Sequence, residues 1–362
     1  MPNIASVGLV YLARQAEGIA AFRRFAQSYH RHPAGMEHDL IVIYKGFEQQ
    51  KELQEARQVF ENCRHTGIEL PDSGFDIGSY LECSRRTAQE YLCFLNTHSE
   101  VAAPGWLSRL HAFAARPDVG VAGAMGSYES LRQSWELILK FHWLYYAQGF
   151  PIEDAVARYY VKFREYLPPM KSYLHWRKLL PPALRAISYR RAEAAFRESR
   201  DALFRSKAFR VIGMFPKFPN PHIRSNGFML RREGLRRFDG MAIATKDDAC
   251  FFESGPDSLT AQIRRGGQAA IVVGGDGRGY DVDQWPRSGT FRLDDQGNLL
   301  VTDNHARAFL EMTTENRLTH ARMTWGEYLE PLPERYPTLG IRFKQGSLAP
   351  IPADLSQAAR LG

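Results

Sequence analysis

Cysteine is scarce in this 362-residue chain: Cys63, Cys83, Cys93 and Cys250 are the only four, and no two form a CxxC pair. That spacing argues against a metal framework and predicts reduced thiols, as in a cytoplasm. Also lacking is any run of about 20 apolar residues, the length a membrane-spanning helix needs. The first residues, MPNIASVGLVYLARQ, pass at once into a strand-like run with no charged n-region, so no signal peptide is expected. Acidic charge is short in one place. Residues 158–210 hold 14 Lys/Arg against 4 Asp/Glu, a local balance of +10 within a net charge of +7, which leaves −3 for the remainder. Such asymmetry points to an acidic partner surface for that one segment. Hydrophobic content of 44% and charged content of 24% are ordinary for a globular protein with a buried core.

What is present alternates. Residues 7–12 (VGLVYL) and 39–44 (DLIVIY) read as buried strands, and 19–29 and 48–62 carry apolar residues at helical spacing. Strands this continuously apolar predict a mostly parallel sheet covered on both faces. A loop with Asp72, Gly74 and Asp76 precedes a helix expected at 79–90 and a strand at 91–95. That strand stops in a polar cluster, Asn96-Thr97-His98-Ser99-Glu100, and open α/β sheets bind ligands at such carboxyl ends. Pro104 suits a helix start, with Trp106, Leu107, Leu110, Phe113 and Ala114 as its core face. A further strand is expected at 119–124 and a turn at 125–127.

Residues 128–212 form an insert, aromatic-rich up to about 148, then basic, and punctuated by Pro168-Pro169 and Pro181-Pro182. Its basic amphipathic part, 183–210, suits a membrane interface or a solvated helix packed on the core. The chain returns through 218–235, with Arg224 and Asn226 as polar candidates. Then come Lys246, Asp247, Asp248 and Glu253, a helix at 258–265 and a strand at 269–273. The remainder reads as loop-rich. GGDGRGYD (274–281) lacks the strand–helix context of a phosphate loop, and Asp303 is placed to cap a helix.

Residues 94–110, FLNTHSEVAAPGWLSRL, resemble the large inverting family of nucleotide-sugar glycosyltransferases of the GT-A fold. There the stretch often reads Asn-x-Asp-x-Glu-Val before a Pro-Gly-Trp-Leu helix start. Asn96, Glu100, Val101, Pro104, Gly105, Trp106 and Leu107 fall in register, while His98 stands in place of the family's metal-binding Asp. The likeness covers roughly 5–125 and, more thinly, 222–275. It implies an α/β, Rossmann-like GT-A architecture with a helical insert. The nucleotide-sugar half would be 1–127, the insert 128–212, the acceptor half 213–330 and a tail 331–362.

The resemblance implies donor binding by Tyr11, Arg14, Lys45, Asp72, Gly74, Asp76, Ser79, Asn96 and His98. YKGF (44–47) replaces the family's Asp-Asn-Gly-Ser, which shifts nucleoside recognition to Asp72 and Asp76. Arg224, Asn226 and Lys246 are candidates for acceptor or phosphate, and Asp248, Glu253 and Asp247 for the base that deprotonates the acceptor hydroxyl. Relatives hold Mg²⁺ or Mn²⁺ on carboxylates, and Asn96-Thr97-His98 has none. No metal is expected to be required; if one binds, His98 and Glu100 are its candidate ligands.

The expected function is transfer of a sugar (hexosyl or related) from a nucleoside diphosphate sugar to a saccharide or lipid-linked acceptor, in surface polysaccharide or glycoconjugate synthesis. A cytoplasmic enzyme, peripheral at an anionic membrane through 158–210, would do this. Two alternatives stand beside it. One is a non-catalytic descendant that only binds nucleotide or sugar. The other is a nucleic-acid binder acting through the basic insert, which has no recognisable binding motif to support it.

Overall fold

The computed structural model describes residues 6–135, 181–206 and 209–326. The chain divides into two compact units, one of Met1–Ser127 with Pro221–Glu311 and one of Tyr128–Asn220 with Met312–Gly362. In the first unit β1 (Val7–Arg14), α1 (Ile19–Arg31), β2 (Asp39–Lys45), α2 (Gln50–Gln58) and β3 (His65–Leu70) alternate. They are followed by α3 (Phe75–Arg86), β4 (Tyr91–Leu95), β5 (Glu100–Val101), α4 (Trp106–Ala114), β6 (Val119–Gly123) and β7 (Gly126–Ser127). The second unit contributes α5 (Pro182–Arg205) and α6 (Arg210–Gly213). The first unit resumes with β8 (His222–Ile223), β9 (Phe228–Arg231), α7 (Lys246–Ser254), α8 (Leu259–Arg265) and β10 (Ala269–Val273). It ends with β11 (Gly279–Tyr280), β12 (Val301–Thr302) and α9 (Asn304–Leu310), and α10 (Thr314–Trp325) belongs to the second unit.

Eight strands form one sheet in the order β11-β10-β6-β9-β4-β1-β2-β3. Six run in one direction, with β9 and β11 reversed. Side chains alternate between its faces. Leu9, Tyr11 and Ala13 of β1 bury with Phe22 and Phe25 of α1, Leu53 of α2, and Trp106, Leu107 and Leu110 of α4. The opposite face is covered by α3, where the Tyr80 ring lies 4.7 Å from Phe94 and 6.1 Å from Phe228. The fold is therefore the expected α/β class with a mostly parallel sheet clothed on both sides, consistent with a GT-A-type architecture.

Several local expectations need correction. The helix expected at 79–90 occupies Phe75–Arg86. Left-handed backbone at Gly74 (φ 74) and Phe75 (φ 50) turns the chain into it early, so Asp76 lies in its first turn and not in a loop. The periodicity shows no strand at 65–70, yet HTGIEL forms β3, because an edge strand paired only to β2 needs few apolar residues. Pro104 stands two residues ahead of α4, and Gly105 (φ 69) takes the cap. Residues 126–127 are not a turn but pair with β8. The loop-rich tail also contains α10, unanticipated from its pattern.

Within the second unit, α5 starts at Pro182, where a fixed φ and a missing donor cost nothing. Trp135 meets Phe209 edge-on at 4.6 Å, and Tyr128 meets Trp325 at 5.3 Å. No described helix is long and apolar enough to cross a membrane. The aromatic stretch beyond residue 135, the first Pro-Pro pair (Pro168-Pro169) and basic residues 158–180 lie outside the described residues, as do 327–362.

Candidate functional site

The carboxyl edge of the sheet gathers most of the polar residues singled out from sequence. Arg14 and Lys45 end β1 and β2 and stand in register. Beyond β4 the Asn96 Oδ1 accepts the His98 N–H at 3.0 Å and the Ser99 hydroxyl at 3.2 Å, which folds the polar cluster into a tight turn. Asn226, entering β9, accepts the Asn96 N–H at 2.9 Å and the Ser99 hydroxyl at 2.5 Å on its own Oδ1. Antiparallel β9 thus brings its start to the end of β4. Tyr11 is fully buried and stacks on Phe25 at 3.8 Å, and its hydroxyl donates to the Thr97 carbonyl at 2.8 Å. Burial raises that hydroxyl well above its usual range. Tyr11 therefore holds the turn from behind.

A chain of charges lies in front of that turn. Arg14 grips Asp72 with its Nε and Nη2, and its Nη1 reaches Glu17 Oε1 at 3.2 Å. Glu17 Oε2 lies 3.0 Å from His98 Nε2. The Arg14 hydrogen bond holds the Asp72 carboxyl below its ordinary range. Lys45 is 1% exposed, and its ammonium donates to the Phe75 carbonyl. Burial pulls Lys45 down, against the pull of Asp76 and Asp72. Burial pushes the Asp76 carboxyl up, resisted by Lys45, Lys246 and Arg14. Phe75 is 39% exposed in spite of its left-handed backbone, and the Lys246 ammonium sits 5.7 Å from its ring centre. Ser79 donates to the Phe75 carbonyl at 3.0 Å, and a Cβ on Gly74 would meet Gly78 Cα at 3.2 Å. Both residues shape the start of α3.

The three candidate bases differ. Asp248 Oδ2 accepts the N–H groups of Ala244 (3.0 Å) and Thr245 (2.7 Å) and the Thr245 hydroxyl (2.8 Å), a capping box at the head of α7. Those bonds keep its carboxyl low. Glu253 accepts the N–H of Ser225 at 2.8 Å and also its hydroxyl, with His222 Nε2 at 4.0 Å. Burial would raise Glu253, but Arg224, His222 and the Ser225 bonds outweigh it and bring the carboxyl down to about 2. A group so acidic is a weak base near neutrality. Asp247 is exposed beside Lys246. Arg224 and Arg292 both lie on the Phe291 ring, at 4.4 and 4.8 Å.

A hard divalent cation takes clustered oxygen ligands. Glu100 Oε1 instead meets Arg307 Nη1 at 2.6 Å and Arg24 Nε at 3.4 Å, and Asp303 caps α9 through the Ala306 N–H at 2.8 Å. Among the described residues no group of three His, Cys, Asp or Glu is placed to hold a metal ion. The donor set around Asn96 and His98 does not fit Mg²⁺.

Three residues of the site went unmarked in the sequence reading. Glu17 lies in a polar loop without any motif. Phe75 looks like a core aromatic until its backbone turns it outward. Arg307, which donates to the His98 carbonyl at 3.1 Å, lies 209 positions along the chain from it.

No family model matches the chain, and no curated protein matches it. Partial similarity to solved structures is found. TarS from S. aureus aligns with TM-score 0.27 and 12% identity over 32% of this chain and 21% of that one. Its residues 1–349 in complex with UDP-GlcNAc give 0.27 and 13% over 32% and 33%. GalNAc-T7 with UDP, GalNAc and Mn²⁺ gives 0.28 and 14% over 34% and 23%. The chain spans a third or less of the length of these structures.

Proposed function

We propose that the first unit is a GT-A-type glycosyltransferase that moves a sugar from a nucleoside diphosphate sugar to a hydroxyl acceptor. The observation that carries this reading is the meeting of Arg14 and Lys45, from the ends of β1 and β2, with the Asp72–Asp76 segment, and the link from Arg14 through Glu17 to His98 in the turn after β4. Carboxyl ends of parallel strands are where such sheets bind ligands, and the motif resemblance at 94–110 falls on the same edge. Asp72 and Asp76 would take the nucleoside, with Arg14 and His98 facing the diphosphate. The acceptor oxygen attacks the sugar's anomeric carbon, the bond to the diphosphate breaks, and the hydroxyl proton passes to a carboxylate. Asp248 is committed to its cap and Glu253 is weakly basic, which leaves the exposed Asp247 as the remaining candidate proton acceptor. Arg224, Asn226 and Lys246 would line the acceptor or phosphate side. Positive side chains would neutralise the leaving diphosphate without a strict need for metal. The acceptor is a saccharide or lipid-linked glycan, reached at an anionic membrane through the basic segment 158–210.

Thermal unfolding against UDP, GDP, ADP, CDP and their sugars tests the reading. A ligand at 100 times its dissociation constant adds about 2.7 kcal/mol, so the right nucleotide should raise the midpoint by several degrees. Stabilisation by none of them sinks the proposal. A second reading, a nucleotide-binding descendant without activity, is favoured by the engagement of Asp248 and Glu253 in structural bonds. It predicts the same stabilisation with no hydrolysis or transfer of the bound sugar.

A further inference from the structure

Glu17 is the least expected member of the site. One of its carboxylate oxygens meets Arg14 Nη1 at 3.2 Å and the other meets His98 Nε2 at 3.0 Å. A single anion thus bridges two cation-capable groups from two different strands, as two oxygens of one phosphate would. We propose that Glu17 is a built-in stand-in for a phosphate, holding Arg14 and His98 until a phosphate of the bound nucleotide displaces it. This deepens the nucleotide-site reading above and rests on it.

The backbone that carries Arg14 and His98 is held without Glu17, the His98 N–H by Asn96 Oδ1 at 3.0 Å and its carbonyl by Arg307 at 3.1 Å. The Arg14 N–H donates to Thr97 Oγ1 at 3.3 Å, and Tyr11 holds the Thr97 carbonyl at 2.8 Å. Strands β1 and β4 are themselves in parallel register up to Tyr11 and Leu95. The Arg14 fork remains on Asp72 through Nε and Nη2, so only Nη1 is at stake. The Arg14 guanidinium and the His98 backbone are therefore fixed independently of Glu17, whose carboxylate joins the two side chains.

Glu17 itself is lightly held. It sits in a three-residue helical turn, Gln15–Glu17, that contains no buried residue. The turn ends at Gly18, whose φ of 74 and ψ of 160 only glycine adopts easily, and nothing lies within 4 Å of a Cβ built there. A side chain one-third exposed, on a turn without a buried anchor, can swing away at small cost. A phosphate carries more charge than a carboxylate and accepts more hydrogen bonds, so it wins the exchange. The stand-in keeps Arg14 and His98 engaged while the site is free of ligand, and it sets a threshold that singly charged or neutral ligands do not pass.

The test is calorimetric binding of pyrophosphate, of the best nucleoside diphosphate and of its uncharged nucleoside to the wild-type chain, Glu17→Gln and Glu17→Ala. Both variants are expected to bind the two phosphate compounds about three- to tenfold more tightly, with nucleoside affinity unchanged. Equal or weaker phosphate binding by Glu17→Gln, at an unaltered unfolding midpoint, overturns the proposal and makes Glu17 a positioning residue for His98. The two readings fail separately. If wild type binds the nucleotide and the variants bind it no better, only the stand-in falls. If pyrophosphate binding tightens but no nucleotide binds, the nucleotide site falls and the stand-in survives. If no phosphate compound binds any of the three chains, both fall.

Discussion

The guanidinium of Arg14 holds both oxygens of Asp72, Nε to Oδ1 at 2.8 Å and Nη2 to Oδ2 at 2.9 Å. This fork ties the end of β1 to the segment that follows β3, two strands away in the sheet. Both side chains are more than a third exposed, 36% and 40%, so the pair contributes no more than about 1 kcal/mol to stability. Its value is geometric. Asp72→Asn is expected to unfold within about 1 kcal/mol of wild type and to bind the best nucleotide about tenfold more weakly. The folded Asp72 carboxyl is held low, so the pair is complete above the ordinary carboxylate range and lost as pH falls through the depressed value. Unchanged affinity in the variant would remove Asp72 from the site.

Asp76 should behave in the opposite way towards pH. Burial raises its carboxyl, so its ionised form is disfavoured in the folded chain, and its contribution to stability declines as pH rises through the shifted value. Asp76→Asn is expected to be at least as stable as wild type at neutral pH, yet to lose about tenfold in nucleotide affinity. Calorimetry beside thermal unfolding checks both halves. A destabilised variant with full affinity would assign Asp76 to the fold alone.

His98 carries the prediction about metals. Turnover is expected to persist in excess chelator, and His98→Ala should lower kcat about a hundredfold with a smaller effect on KM. Added Mn²⁺ should not restore the variant. Complete inhibition of wild type by chelator, reversed by Mn²⁺, would show that the chain recruits a metal.

For Glu253 the expected outcome is structural. Removing one partner from a buried charge network is costly, and Glu253→Gln should destabilise the chain by about 2–4 kcal/mol. Since the folded carboxyl lies at about 2, below the ordinary 4.5, the wild type gains its stabilisation above pH 4.5 and loses it as pH falls towards 2. Acid titrations of unfolding free energy should show that slope in wild type and a flatter one in the variant. If the variant is as stable as wild type, Glu253 is not held as described.

The basic segment 158–210 is expected to bind anionic vesicles and to release them at high salt. Each Lys or Arg near an anionic leaflet contributes about 1 kcal/mol within a Debye length. Equal binding to neutral vesicles, or none to either kind, would exclude this surface.

Much of the sheet could be read from the chain because its inner strands are unbroken apolar runs. β4 and β10 fall on the expected residues, and β1 and β2 extend slightly past them into Arg14 and Lys45. Edge strand β3 was hidden by its polar alternation, and the first turn of α3 by Gly74 and Gly78, which look like loop residues beside Asp72 and Asp76. In the site, residue type was legible and partnership was not. Asp248 was legible as a carboxylate, but its engagement in the Thr245 capping box was not read. The meetings of Glu17 with His98, and of Asn226 with Asn96, depend on strand order, which periodicity does not encode.

The placement of β9 has a consequence for the order in which the protein can be built. It lies between β4 and β6 in the sheet, and the chain reaches it after the whole of residues 128–220 has been made. Until Phe228–Arg231 leaves the ribosome, β4 has an open edge beside Leu92 and Phe94, and the sheet exists as a four-stranded half with nothing to close it. A nascent chain of that length is a sticky intermediate, prone to pair its edge with a neighbour. A chain cut short before residue 228 should therefore be recovered as aggregate and not as a smaller folded domain.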